Sequence, residues 1–78
     1  MFMSTLADVP VGQSARIRCL QGEESVIAEL RELGFCEGEN VTVKKTAPFK
    51  DPIVVEVLNY RLSIRRSDAR GICVEQVL

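Results

Sequence analysis

Between Gln13 and Leu20 small or apolar side chains alternate with charged ones: Ala15, Arg16, Ile17, Arg18, Cys19. A two-residue period is that of a half-buried strand, so this segment predicts a first strand with Ala15, Ile17 and Cys19 facing a core. Ahead of it Leu6 and Val9 sit three apart, and Pro10 and Gly12 punctuate the chain, which predicts a short helical turn followed by a tight bend. The period then changes. Val26, Ile27, Leu30 and Leu33 fall at i, i+1, i+4 and i+7, one face of a helix, with Glu23 and Glu24 at its electropositive end and Arg31 in its last turn. Glu29 and Glu32 lie off that face, and Gly34 is placed to stop the helix in a left-handed conformation.

Alternation returns from Asn40 to Lys45, with Val41 and Val43 on one side. Pro48 and Pro52 then remove two backbone donors and make Ala47 to Pro52 the longest loop. Ile53 to Leu58 and Arg61 to Arg65 predict a hairpin around Asn59 and Tyr60, where asparagine tolerates a positive φ. Ile53, Val55 and Val57 face inward with Leu62 and Ile64, which leaves Val54 and Leu58 on the outer side as apolar residues without an assigned place. Ser67 to Arg70 is a polar single turn, and Gly71 to Val77 a last strand with Ile72 and Val74 inward. The predicted class is all-β with one inserted helix. Five such short strands are too few for a two-layer sandwich and are expected to close into a small five-stranded barrel plugged by the helix. One domain, 1–78, accounts for the whole length.

With 46% hydrophobic residues but three Phe, one Tyr and no Trp, the core must be aliphatic. The formal net charge of -1 gives no overall attraction to phosphate or anionic lipid, so nucleic acid is not expected as a partner. No stretch approaches the roughly 20 apolar residues of a membrane helix, nor does the start resemble an export signal. Three widely spaced cysteines do not make a disulfide framework, and free thiols in a reducing, cytoplasmic setting are expected.

The absence of histidine removes the commonest metal ligand and the commonest acid–base group, and no CxxC pair, HExxH or glycine-rich phosphate loop is present, so the chain is expected not to be an enzyme. No cofactor is expected. A soft metal, if held at all, would use Cys36 with Glu37 or Cys73, a weak site at best. Arg65, Arg66 and Arg70, with Lys44, Lys45 and Lys50, form a basic group that could grip phosphate or an acidic partner segment, but Phe49 and Tyr60 alone make no base-stacking platform.

Several ordered features go together: Leu6 and Gly12 with Ala15-Arg16-Ile17; Leu30-Arg31-Glu32-Leu33-Gly34-Phe35 followed by Gly38; Asp51-Pro52-Ile53; and Leu62-Ser63-Ile64-Arg65-Arg66 leading to Ala69 and Ile72-Cys73-Val74. On these the chain resembles the ferrous-iron transport protein A (FeoA) family over nearly its whole length, and also the small barrel appended to iron-dependent and manganese-dependent repressors. The resemblance implies an SH3-like barrel that assists bacterial ferrous-iron uptake by binding the cytoplasmic side of a large GTP-dependent (FeoB-like) membrane permease. Recruitment to the inner face of the membrane would then come through that partner and not by insertion. The family's Leu-Gly-hydrophobic-x-Pro-Gly turn falls on Leu33 to Gly38, with Glu37 in place of proline, which implies a looser turn here. Its hairpin glycine falls on Asn59, and Glu29 stands where a basic residue is often found.

The expected partner surface is therefore Glu29, Glu32, Phe35, Cys36, Glu37 and Gly38, with Arg65, Arg66 and Arg70 as the alternative. Self-association could use Val54 and Leu58, or the free edge of the last strand. Two other readings stand beside the transport one: an SH3-like interaction module in metal-dependent regulation, working in trans because no helix-turn-helix precedes it, and a weak nucleic-acid-binding barrel.

Overall fold

The computed structural model describes residues 3–76. Six strands, β1 (Met3–Thr5), β2 (Ser14–Leu20), β3 (Asn40–Thr46), β4 (Ile53–Val57), β5 (Tyr60–Ile64) and β6 (Ile72–Gln76), make one antiparallel sheet in the order β1-β6-β2-β3-β4-β5. Helix α1 (Glu24–Glu32) joins β2 to β3, and the single turn α2 (Arg66–Ala69) joins β5 to β6. Short 3₁₀ turns cover Leu6–Asp8 and Pro48–Lys50, the second inside the expected loop.

This corrects the expected closed five-stranded barrel with one helix. The additional strand is β1, three residues with no alternation to betray it; β6 lends it an edge, with Ser4 opposite Val74 and Thr5 opposite Cys73. β1 and β5 end the sheet without pairing to each other, so the ladder stays open. Among the described residues β6 is paired on both sides, to β2 along Ile72–Gln76 and to β1 at Cys73, Val74 and Glu75. Val77, expected in that strand, lies outside the described residues.

The strand phases follow the alternation until two bulges interrupt them. In β4, Ile53, Val55 and Val57 are buried, and Ala15 and Ile17 of β2 face the same core with Val41 and Val43 of β3. Ile17 lies opposite Val74 and Cys19 opposite Cys73, so Arg18 is an extra residue in β2. A bulge of this kind turns the parity over. Cys19, expected inward, moves to the outer face, and Leu20 takes the inward place opposite Ile72. Lys44 is the corresponding extra residue in β3, between the Val43–Val55 and Lys45–Val54 pairs. Bulges bend the strands that carry them, and the bent sheet closes over one core that also takes Leu6, Val9, Leu30, Phe35 and Ala69. Val26 is half-buried against this core, while Leu33, at the end of the helical stripe, is 37% exposed.

Candidate functional site

The end of α1 is built by glycine. Gly34 has φ 109°, its N–H donates to the Arg31 carbonyl, and the Phe35 N–H reaches back to the Leu30 carbonyl. This pair of bonds is the Schellman closure, which brings the residue after the glycine against the helix's last buried position. Phe35 and Leu30 are accordingly both in the core, Phe35 with no exposed surface. That corrects the place given to Phe35 at the partner surface: its ring is an anchor for the turn and is not presented to anything outside.

The turn that follows is tied by charge. The Arg31 guanidinium donates two hydrogen bonds to Glu37, at 2.5 and 3.0 Å, spanning the helix end and the loop. That hydrogen-bonded pair holds the Glu37 carboxyl below the usual carboxylate range and raises Arg31. The Cys36 thiol donates to the Arg31 carbonyl at 3.6 Å, and Gly38, at φ 92°, gives its N–H to the Ile17 carbonyl at 2.8 Å. A fork-shaped ion pair thus ties the turn to the helix end.

Against this turn sits the β4–β5 hairpin. Leu58 and Asn59 both have positive φ, 50° and 68°, and Val57 pairs with Tyr60, so the connection is a two-residue type I′ turn one residue earlier than the expected Asn59-Tyr60 position. A leucine in the left-handed region is costly, about 1–2 kcal/mol. It also leaves Leu58 54% exposed. Its Cδ1 lies over Gly34, where a Cβ would come within 2.8 Å, and the Tyr60 hydroxyl donates to the Leu33 carbonyl, one of the carbonyls a helix end leaves open. Leu33, Leu58 and Tyr60, at 37%, 54% and 41% exposure, therefore make one apolar surface where the helix end and the hairpin meet.

Glu29 and Glu32 of α1 are exposed, and the Arg31–Glu37 pair joins the helix end to the turn that follows Leu33. Beside the apolar surface an open groove of about 350 Å³ runs past Gly38, Asn40, Thr42 and Glu56 to Leu58 and Asn59. Of the expected residues, Gly38 lines this groove with Leu58, Cys36 and Glu37 lie in the turn after α1, and Glu29 and Glu32 are exposed on α1 itself. Sequence reasoning marked Leu58 and Tyr60 as surplus apolar residues at the hairpin but placed Leu33 on the buried face of the helix, where the structure leaves it partly exposed.

The three residues of the alternative basic surface differ in their surroundings. Arg66 is a structural clamp: its Nε donates to the Lys50 carbonyl and a terminal nitrogen to the Ala7 carbonyl, each at 2.8 Å, while its backbone N–H meets Asp51 at 2.9 Å. Arg65 is exposed and faces Asp68 at 3.5 Å, and Arg70 is exposed. Phe49, wholly exposed, belongs to the loop leading into β4, at the opposite end of that strand from Leu58. Val54 is half-buried on the outer face between Lys45 and Ser63, and Glu56 next to it faces Lys44 and Arg61 at 3.6 and 3.5 Å.

Among the described residues no group of three or more His, Cys, Asp or Glu side chains is placed to hold a metal ion, and no helix is long and apolar enough to cross a membrane. Cys36 and Cys73 lie on different elements, the turn after α1 and β6, and all three thiols are free.

The described residues thus make one small domain with a single core and an exposed apolar surface where the helix end and the hairpin meet. The chain belongs to the FeoA family: its residues 4–76 match the FeoA domain. It is 33% identical over 72 residues to an Fe(2+) transport protein A/Fe(2+) transporter FeoB fusion protein of Porphyromonas gingivalis, a match covering 92% of this chain but 8% of that protein's length. A FeoA-like protein from Clostridium acetobutylicum superposes with a TM-score of 0.92 at 27% identity, over all of this chain and 91% of that one. A manganese-dependent transcriptional repressor in complex with manganese shares the fold, with a TM-score of 0.88 over 96% of this chain and 37% of its own, at 13% identity.

Proposed function

We propose that this chain is a non-catalytic accessory protein of bacterial ferrous-iron uptake, docking on the cytoplasmic side of a FeoB-type ferrous-iron transporter through Leu33, Leu58 and Tyr60. The observation that carries the reading is the fused relative, in which a part similar to this chain and the transporter are one polypeptide. Fusion holds two modules at high effective concentration, which serves modules that work in contact. Where the two are separate chains, that contact has to come from the surface of the smaller one. The Leu33–Leu58–Tyr60 surface has the make-up such a contact needs, since apolar residues at its centre supply affinity, and Glu29, Glu32 and the Arg31–Glu37 pair supply orientation and rate. Localisation at the inner face of the membrane would follow from this docking.

Capture tests it. The purified chain is immobilised and offered the detergent-solubilised transporter from the same cell, with and without guanine nucleotide and ferrous iron. Retention of the transporter above that on an unrelated domain is expected; reproducible failure to retain intact transporter in every condition would overturn the reading. A concentration series by sedimentation on the free chain separates docking from self-pairing over Val54 and Leu58, which would show as a dimer without any transporter.

A further inference from the structure

The bulge at Arg18 has a chemical result on the other side of the sheet from the core. By turning β2 over, it sets Cys19 directly opposite Cys73 of β6. Directly opposed residues of antiparallel neighbours hold their Cα atoms about 4.5–5.5 Å apart, and a disulfide spans Cα separations of about 4.4–6.8 Å. Both cysteines are free and half-buried, so the pair is assembled but still within reach of a small molecule. Thr5, the neighbour of Cys73 on β1, is already engaged, its hydroxyl donating to Asp8 at 3.2 Å. Cys36 stands apart, its thiol bonded to the Arg31 carbonyl.

We propose that Cys19 and Cys73 are a thiol-oxidation site that closes to an intramolecular disulfide by exchange with a small-molecule disulfide. In the first step the Cys19 thiolate attacks one sulfur of the external disulfide; that S–S bond breaks, one small thiolate leaves and is protonated, and a mixed disulfide remains on Cys19. Cys73 then loses its proton and attacks the Cys19 sulfur, expelling the second small thiol. Two protein thiols are oxidised, one external disulfide is reduced to two thiols, and no other electron acceptor is needed. The Cys73 thiol is pushed up to about 11, chiefly by its hydrogen bond with Cys19, then by burial and by charge on Cys19. The exchange balances in the same way whichever of the two thiols attacks first.

The site is independent of the docking surface, because neither cysteine belongs to the α1 end or the hairpin turn. The experiment is equilibration of the reduced, folded chain in glutathione buffers of rising oxidised fraction, followed by acid quenching, thiol counting and mass mapping of the linked fragments. The wild type is expected to fall from three free thiols to one, losing the mass of two hydrogens, with Cys19 joined to Cys73 and Cys36 still reduced. Cys36→Ser should retain the linkage. Cys19→Ser and Cys73→Ser should instead stop at a glutathione adduct on the remaining partner. Wild-type protein that accumulates glutathione adducts without closing, that links through Cys36, or that closes no better than the same chain in urea would overturn the proposal.

Discussion

Leu58→Asn separates a residue kept for contact from one kept for packing. Leucine at φ 50° carries about 1–2 kcal/mol of backbone strain, which asparagine, at home in the left-handed region, largely relieves. Against this stands the loss of the covered part of the side chain, which lies on Gly34. Full burial of a leucine contributes about 1.5–3 kcal/mol, and with 54% of Leu58 exposed the covered part is worth roughly 1 kcal/mol. The two effects nearly cancel, so the urea midpoint of the isolated chain should move by less than the equivalent of about 1 kcal/mol. Docking should suffer more. Covering the exposed half on a partner is worth about 1–1.5 kcal/mol, close to a tenfold change in Kd. The paired assay is urea unfolding of the variant beside its binding to the solubilised transporter. Unchanged affinity would refute the docking role of this surface, and a stability loss beyond about 2 kcal/mol would show that Leu58 is there to hold the hairpin on the helix.

Arg66→Ala should destabilise the chain by roughly 2 kcal/mol in the same unfolding assay, because two bonds from a charged donor to backbone carbonyls are lost. Arg65→Ala and Arg70→Ala, both exposed, should stay within about 0.5 kcal/mol, and equal losses at all three would refute the clamp. Gly71→Ala should cost about 1–3 kcal/mol by overpacking, since a Cβ there would lie 2.4 Å from the Gln21 carbonyl oxygen, a backbone atom that cannot swing aside. For Glu37 the folded-state carboxyl titrates below its unfolded value, so its stabilising contribution is present above the ordinary carboxylate range and is lost as pH falls through the lowered value. A side-chain carboxyl NMR titration should show Glu37 moving up to the ordinary range in Arg31→Ala; an unmoved titration would assign the shift to the turn backbone.

Much of the fold was legible locally. Periods of two and 3.6 residues located α1, five of the six strands and most of the core, because burying one face of a strand or helix imposes its repeat on the residues that form it. The glycine after Leu33 marked the helix end for an equally local reason. The ordered features from Leu6 to Val74 were enough to place the chain in its family. What they left open was the pairing beyond the β4–β5 hairpin. Met3 to Thr5 is a strand only because β6 offers an edge, and the sheet stays open because its two end strands do not meet. Cys19 changes face only because β2 takes an extra residue against β6.

The site divides along the same line. The charged rim on α1 and the turn after it could be named from the chain, whereas Phe35 passed for a surface residue because nothing local distinguishes a ring folded under a Schellman turn from one left outside. The apolar centre needed the hairpin and the helix end to be brought together, and the bonds of Arg66 to Lys50 and Ala7 likewise join distant segments. Residue order by itself determined the class of protein, its elements and their buried faces, because these depend on neighbours a few positions apart. The open sheet, the apolar surface of Leu33, Leu58 and Tyr60 and the opposed thiols were decided by tertiary structure, since each depends on contacts between segments tens of residues apart that carry no repeat in the sequence.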